Sequence, residues 1–341
     1  MKMQKLKVVL LIFLVVSLCV SGNTAADDLP DSWPPLPEAL AAMESDNNVT
    51  VKTVEVGEWE EGSNYYYAFE PKRADPKVGF IIYPGGLVDP KAYAPPAHAI
   101  AAAGYLTVIV KMKNDLAVSG YKKANEVISD YTGIEKWILG GHSLGGSFAC
   151  AYAHEFSDKL DAVVLWASWP SENFRLDDTD LKAISIYGTN DGHPDEIEAG
   201  AEHLPADAQF VKIEGGNHTQ FGWYDTSPYP QQPGDNPADI SREEQQEIII
   251  QSTVDFLEQF DISSLPTCTA EKIYGVYSEE TEHLRFFRDN VLSKTQEERG
   301  LIRLYYKWSP AIVKAMGGDK EFKEQMEELI DGVLSMIGGM E

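Results

Sequence analysis

Three residue types in this 341-residue chain stand where covalent chemistry could be done: a serine framed by glycines, an aspartate and a histidine. Gly141-His142-Ser143-Leu144-Gly145 follows the short apolar run Trp137-Ile138-Leu139 and precedes a stretch of small residues suited to a helix. Strand, sharp turn and helix are the setting that a G-x-S-x-G serine needs to stand clear of a sheet. The glycines leave room for a strained turn, and the following helix offers a backbone N–H and its dipole to developing negative charge. A five-residue pattern arises by chance, so the partners and their order carry the reading. A serine nucleophile needs a base and a carboxylate that fixes the base's tautomer. Asp191 closes the apolar run at residues 181–187 within Gly188-Thr189-Asn190-Asp191-Gly192, and His218 closes the run at 209–213 within Glu214-Gly215-Gly216-Asn217-His218. Each candidate falls at the carboxyl end of a predicted strand, the edge at which open α/β sheets bind ligands.

The alternatives are weaker. Asp161 and Asp195 lack a Gly-bounded loop directly after a strand. His193 precedes the last strand, His142 lies inside the turn, and His98, His154, His203 and His283 read as surface or packing residues. An oxyanion hole requires two backbone donors. Leu144 is one by the geometry of the turn; the other is expected from Gly85-Gly86-Leu87 after the Tyr83 strand, with Leu87 first and Gly86 second.

The elements that must position these groups alternate. Residues 49–56 and 65–69 form an antiparallel start around the turn at 60–64. Residues 78–83 are a continuous apolar run, as in a strand covered on both faces, and residues 105–110 and 161–166 are further strands. Helices are expected over 93–103 and 115–129, and Ser241-Arg242-Glu243-Glu244 is a capping box opening a helix through Ile248, Ile249, Val254 and Phe256. The expected class is therefore α/β: a mostly parallel sheet flanked by helices. Residues 167–182 leave no room for a lid insertion, which favours an open site for a small or flexible substrate. Residues 221–239, rich in aromatics and proline, are expected to wall one side of it. Residues 27–42 read as a Pro- and acid-rich leader packed loosely on the domain.

A net charge of −26 argues against nucleic acid or an anionic membrane surface as partner. Lys2, Lys5 and Lys7, an apolar stretch over 8–20 and small residues after it make residues 1–22 a secretory signal, too short for a comfortable membrane span. The mature protein is then extracytoplasmic, secreted or at the cell surface, with no transmembrane span. Of the remaining cysteines, Cys150 reads as a small core residue and Cys268 lies far from it. No metal set, phosphate loop or dinucleotide fingerprint is visible, so no cofactor is expected. The α/β domain that carries these residues is placed at 30–262. A helical module follows at 266–341, with three amphipathic patterns: one through Leu284 and Phe287, one through Leu301 and Trp308 stopping near Pro310, and one through Phe322 and Ile337.

Four co-ordered motifs, Tyr83-Pro84-Gly85-Gly86-Leu87-Val88-Asp89-Pro90, Gly141-His142-Ser143-Leu144-Gly145-Gly146, Tyr187-Gly188-Thr189-Asn190-Asp191-Gly192 and Gly215-Gly216-Asn217-His218-Thr219-Gln220-Phe221-Gly222, resemble a compact α/β-hydrolase family distantly similar to dienelactone hydrolases. The resemblance spans residues 49–260. It implies an α/β-hydrolase fold without a lid and a Ser–His–Asp hydrolase, with Ser143, Asp191 and His218 on the triad positions. Dienelactone hydrolases use a cysteine; a serine here favours ordinary carboxylic ester or amide cleavage, with a small-molecule ester as the expected substrate. An acyltransferase or amidase with the same triad, and a non-catalytic surface-binding protein, are the alternative functions. Cys268-Thr269-Ala270, Leu284-Arg285-Phe286-Phe287-Arg288-Asp289-Asn290 and Arg303-Leu304-Tyr305-Tyr306-Lys307-Trp308-Ser309-Pro310 resemble the CFI-box C-terminal module of some secreted microbial proteins, departing from it at Glu271 and Lys272. That resemblance carries over no assigned chemistry; a cell-surface component is the partner expected of the module.

Overall fold

The computed structural model describes residues 32–72, 75–227, 234–260, 269–275, 278–292 and 296–337. Residues 1–22, expected to be a secretory signal, and Cys19 and Cys268 lie outside them. Among the described residues no helix is long and apolar enough to cross a membrane. The chain divides into two compact units, residues 1–261 and 262–341.

The first unit is built on one eight-stranded sheet. Its strands are β1 (Val49–Glu55), β2 (Tyr65–Pro71), β3 (Val78–Tyr83), β4 (Leu106–Val110), β5 (Lys136–His142), β6 (Ala162–Trp166), β7 (Lys182–Gly188) and β8 (Gln209–Ile213). They run in the order β1-β2-β4-β3-β5-β6-β7-β8. β2 is antiparallel to both its neighbours, and all pairings from β4 to β8 are parallel. Besides the single helical turn Pro37–Ala41, the helices of this unit are α1 (Ala94–Ala102), α2 (Ala124–Asp130), α3 (Leu144–Glu155), α4 (Pro194–Ala199) and α5 (Arg242–Leu257).

The apolar runs are continuous because both faces of each strand are covered. Phe80 and Ile82 of β3, with Val164 and Trp166 of β6, join a core that includes Ile100 of α1 and Phe256 of α5. Ile81, Tyr83, Val163 and Leu165 point the other way, into a core with Phe148 and Tyr152 of α3 and Val127 of α2. Alternation along each strand thus feeds two cores, and each fully buried aliphatic or aromatic side chain contributes about 2 kcal/mol of transfer free energy. This is the α/β-hydrolase fold. β3 has β4 on one side and β5 on the other, which places the switch in strand order beside the serine turn.

Two expectations for this unit are corrected. The segment after β4 is not one helix. It makes three single 3-10 turns, Lys113–Asp115, Ala117–Ser119 and Tyr121–Lys123, and only then α2. Asn114 and Asp115 both hold positive φ, and Gly120 lies at φ −155°, ψ 20°, outside the helical region, so no α-helix can run through them. The leader is also not loosely packed from Trp33 onward. Trp33 is buried; its N–H donates to the Leu87 carbonyl at 2.7 Å and its own carbonyl accepts from Asp89 at 3.1 Å. The Leu36 N–H donates to the Trp223 carbonyl at 2.8 Å. Backbone pairing and one buried indole outweigh the irregularity that the prolines impose. Residues 167–181 carry only the turn Glu172–Phe174.

The second unit contains α6 (Thr269–Tyr274), α7 (Glu279–Phe287, continued by a π turn Arg288–Leu292), α8 (Gln296–Met316) and α9 (Lys320–Ile337). α8 runs through Pro310 instead of stopping there. The apolar spacing continues to Met316, which is buried, and that burial offsets the one backbone hydrogen bond a proline forfeits.

Candidate active site

The turn after β5 holds Ser143 at φ 53°, ψ −123°, a conformation that costs a non-glycine residue on the order of 1–3 kcal/mol. Three hydrogen bonds hold it. The Ser143 N–H donates to the Trp166 carbonyl at 3.0 Å and its carbonyl accepts from the Ser147 N–H at 3.1 Å. The Ser168 hydroxyl donates to the same carbonyl at 2.7 Å. Gly145 is required by close approach: a Cβ there would collide with the carbonyls of Tyr83 and Pro84. The serine thus sits partly exposed directly before the first residue of α3.

Asp191 and His218 are brought together. His218 Nδ1 lies 2.8 Å from Asp191 Oδ2, with the two side chains 1% and 0% exposed. A carboxylate only accepts, so Nδ1 carries the proton and Nε2 of the neutral ring is left as an acceptor. The other carboxylate oxygen accepts from the His193 N–H at 2.9 Å. His218 Nε2 is buried and has no hydrogen-bond partner among the described atoms. The ring reaches the serine turn through His142, whose ring centroid is 4.5 Å from that of His218. The Ser143–His218 hydrogen bond itself is therefore not formed in this structure.

The acid and histidine loops are zipped to one another. The Thr189 N–H donates to the Ile213 carbonyl at 3.0 Å and the Asn190 N–H to the Gly216 carbonyl at 2.8 Å. Two residues that sequence reasoning missed hold the histidine's backbone. Gln245 of α5, fully buried, accepts from the Asn217 N–H at 2.9 Å and donates to the Asn217 carbonyl at 2.7 Å. Asp235 accepts from the His218 N–H at 2.8 Å, the Thr219 N–H at 2.9 Å and the Thr219 hydroxyl at 2.5 Å. Burial raises the Asp235 carboxyl above its ordinary value, and the Thr219 and His218 donors oppose that shift. Gln245 lies one turn into a helix whose capping box was legible, and a polar residue on its buried face was the available signal. Asp235 gave none beyond its place in the stretch expected to wall the site.

The rival residues are engaged elsewhere. Asp161 pairs with Lys136 at 2.7 Å and accepts from the Trp137 N–H at 3.0 Å, and Asp195 lies in the first turn of α4. Cys150 is buried, and burial pushes its thiol far up, which suits a packing residue.

One expected oxyanion donor is corrected. The Leu87 N–H donates to the Asp115 carbonyl at 2.8 Å. The positive φ of Leu87, Asn114 and Asp115 brings these two loops together and uses the donor within the fold. Asn114-Asp115, a pair tolerant of positive φ, was the signal in the sequence. Gly86 packs toward the turn: a Cβ on it would sit 3.1 Å from Leu144 Cδ2.

The model of the alpha/beta hydrolase family matches residues 79–247, a stretch that runs from β3 into α5. A search of curated proteins found no significant match. Among solved structures, an esterase/lipase from an uncultured bacterium is 10% identical, with a TM-score of 0.47, over 73% of this chain and 97% of that one. The esterase Est2 of the planctomycete Thermogutta terrifontis is 15% identical, with a TM-score of 0.44, over 64% and 94%. A protein of Klebsiella pneumoniae assigned as a dienelactone hydrolase is 16% identical, with a TM-score of 0.45, over 62% and 100%.

Proposed function

We propose, from the premise that residues 79–247 belong to the alpha/beta hydrolase family, that the protein is a secreted serine hydrolase of carboxylic esters. Ser143 Oγ attacks the ester carbonyl. His218 Nε2 takes the hydroxyl proton and later returns it to the leaving alcohol, while Asp191 holds the Nδ1 proton and stabilises the imidazolium. Water, activated by the same imidazole, then releases the acyl group. The Leu144 N–H at the start of α3 is one oxyanion donor, and the second comes from the Gly85-Gly86-Leu87 loop, whose Leu87 N–H donates to the Asp115 carbonyl. No step requires a cofactor.

The single observation that carries this reading is the buried Asp191–His218 contact of 2.8 Å at the strand ends that also bear a serine held at φ 53°. A base whose Nε2 has no other partner is available to the serine. Catalytic hydrogen bonds are often long without substrate and tighten in the complex. Secretion rests on the basic and apolar N-terminal segment alone. The second unit, amphipathic and without a nucleophile–base pair among its described residues, is read as an attachment module.

The test is hydrolysis of short p-nitrophenyl esters by the mature protein. Wild type turns them over and Ser143→Ala loses that activity by at least about a thousandfold; equal rates would overturn the proposal.

A further inference from the structure

We propose that Tyr93 and His142 are positioning residues that set the spacing of the two oxyanion donors, through one hydrogen-bonded chain from the Gly85 amide to the serine turn. The Gly85 N–H donates to the Tyr93 hydroxyl oxygen at 2.9 Å, and that oxygen is 2.8 Å from His142 Nδ1. Gly85 directly precedes the Gly86 amide and His142 directly precedes Ser143, so the chain spans the gap between the two halves of the oxyanion hole. The fit leaves no slack. A Cβ on Gly85 would lie 2.8 Å from both the Tyr93 oxygen and His142 Nδ1, and Tyr93 and His142 are both fully buried.

The Tyr93 oxygen accepts from the amide and, in the tautomer assigned here, gives its hydrogen to His142 Nδ1. His142 is then the neutral tautomer with its proton on Nε2. Its surroundings agree. Burial, reinforced by His218 beside it, holds His142 well below the ordinary histidine range. Phe221 stacks on its other face, with centroids 5.6 Å apart and planes 7° apart. Charged side chains near this cluster include Asp191 and Asp235, which bond His218, and Arg242, which donates to the Thr219 carbonyl at 3.4 Å and to the Gly222 carbonyl. A neutral His142 matters because its ring lies 4.5 Å from His218, which becomes cationic during the reaction proposed above. A fixed cation at that distance would oppose proton uptake by the base. The chain therefore does two things: it locks the Gly85-Gly86 segment against the turn, and it keeps the neighbour of the base uncharged.

This inference rests on the hydrolase reading, and its tests fail separately from it. The first is 15N NMR of the full chain with labelled histidine, the His142 signal being identified by its loss in His142→Asn. An unprotonated, hydrogen-bonded Nδ1 and a protonated Nε2 that persist from pH 8 down to about pH 5, where an unperturbed histidine is charged, are expected. A protonated Nδ1, or titration in that interval, overturns the proposal whether or not any ester is cleaved. The second is kinetic. Tyr93→Phe is expected to lower kcat about tenfold or more with KM within twofold, as for a loosened oxyanion donor. His142→Phe should do the same, and Tyr93→Phe/His142→Phe should lose no more than either alone. His142→Asn, whose amide oxygen replaces Nδ1 as acceptor, should recover part of the loss. An unchanged kcat in Tyr93→Phe, or losses that multiply in the double variant, would overturn it.

Discussion

Replacing Asp191 by Asn gives a loss whose size follows from the hydrogen bonds around it. Two contacts of the carboxylate set the outcome: Oδ1 accepts from the His193 N–H at 2.9 Å and Oδ2 meets His218 Nδ1 at 2.8 Å. An asparagine must keep its oxygen toward the His193 amide, which can only donate. Its NH2 is then turned to His218 Nδ1, which must become the acceptor. The imidazole proton moves to Nε2, so the ring presents a donor to Ser143 where a base is required. Loss of the carboxylate also removes the anion that stabilises the imidazolium, in a pair whose side chains are 1% and 0% exposed. A wrong tautomer in such a triad lowers kcat by roughly 10⁴, or about 5.4 kcal/mol of barrier. Stability should move little or rise, because a desolvated charge is replaced by an amide of the same shape. The assay is steady-state hydrolysis of p-nitrophenyl acetate with thermal unfolding in parallel. A kcat within tenfold of wild type, in a variant that unfolds at the wild-type temperature, would refute the reasoning.

Two further predictions concern residues away from the reacting atoms. Asp235→Ala leaves the His218 N–H, Thr219 N–H and Thr219 hydroxyl without their common acceptor; urea unfolding should show a loss of about 2 kcal/mol, accompanied by a lower kcat as the His218 loop loosens. Lys123 has its ammonium 4.3 Å from the Trp59 ring centroid and donates to the Lys111 carbonyl at 2.9 Å, and burial lowers its pKa to about 8 from the ordinary 10.5. Between those values the folded protein binds fewer protons than the unfolded chain, so this group makes stability rise with pH across that window. Lys123→Met should flatten that rise in unfolding curves taken at pH 7.5, 9 and 10.5, and an unchanged slope would contradict the assignment.

Strand positions were legible because two covered sheet faces leave continuous apolar runs, and the serine turn because its backbone path admits only small residues at Gly141 and Gly145. The meeting of Asp191 and His218 followed from their places after two neighbouring parallel strands, β7 and β8. What escaped the sequence depends on loops meeting other loops. The Asp115 carbonyl that takes the Leu87 donor comes from a segment with positive φ at consecutive residues, and periodicity reads neither loop contacts nor backbone sign. Asp235 and Gln245 reach the histidine across 17 and 28 residues of chain, a separation that local pattern does not encode. Trp33 escaped because a single indole in a Pro-rich stretch has no periodic neighbours to mark it as core. Pro310 misled for the opposite reason: a local breaker was overridden by an apolar stripe that continues past it.

The most direct measurement is mass spectrometry of the folded protein after treatment with a fluorophosphonate, which reacts only with a serine whose hydroxyl is activated by a base. One adduct on the peptide bearing Ser143, abolished by His218→Ala, is the predicted result. An unlabelled Ser143 in folded protein, or labelling that His218→Ala leaves unchanged, would contradict the account.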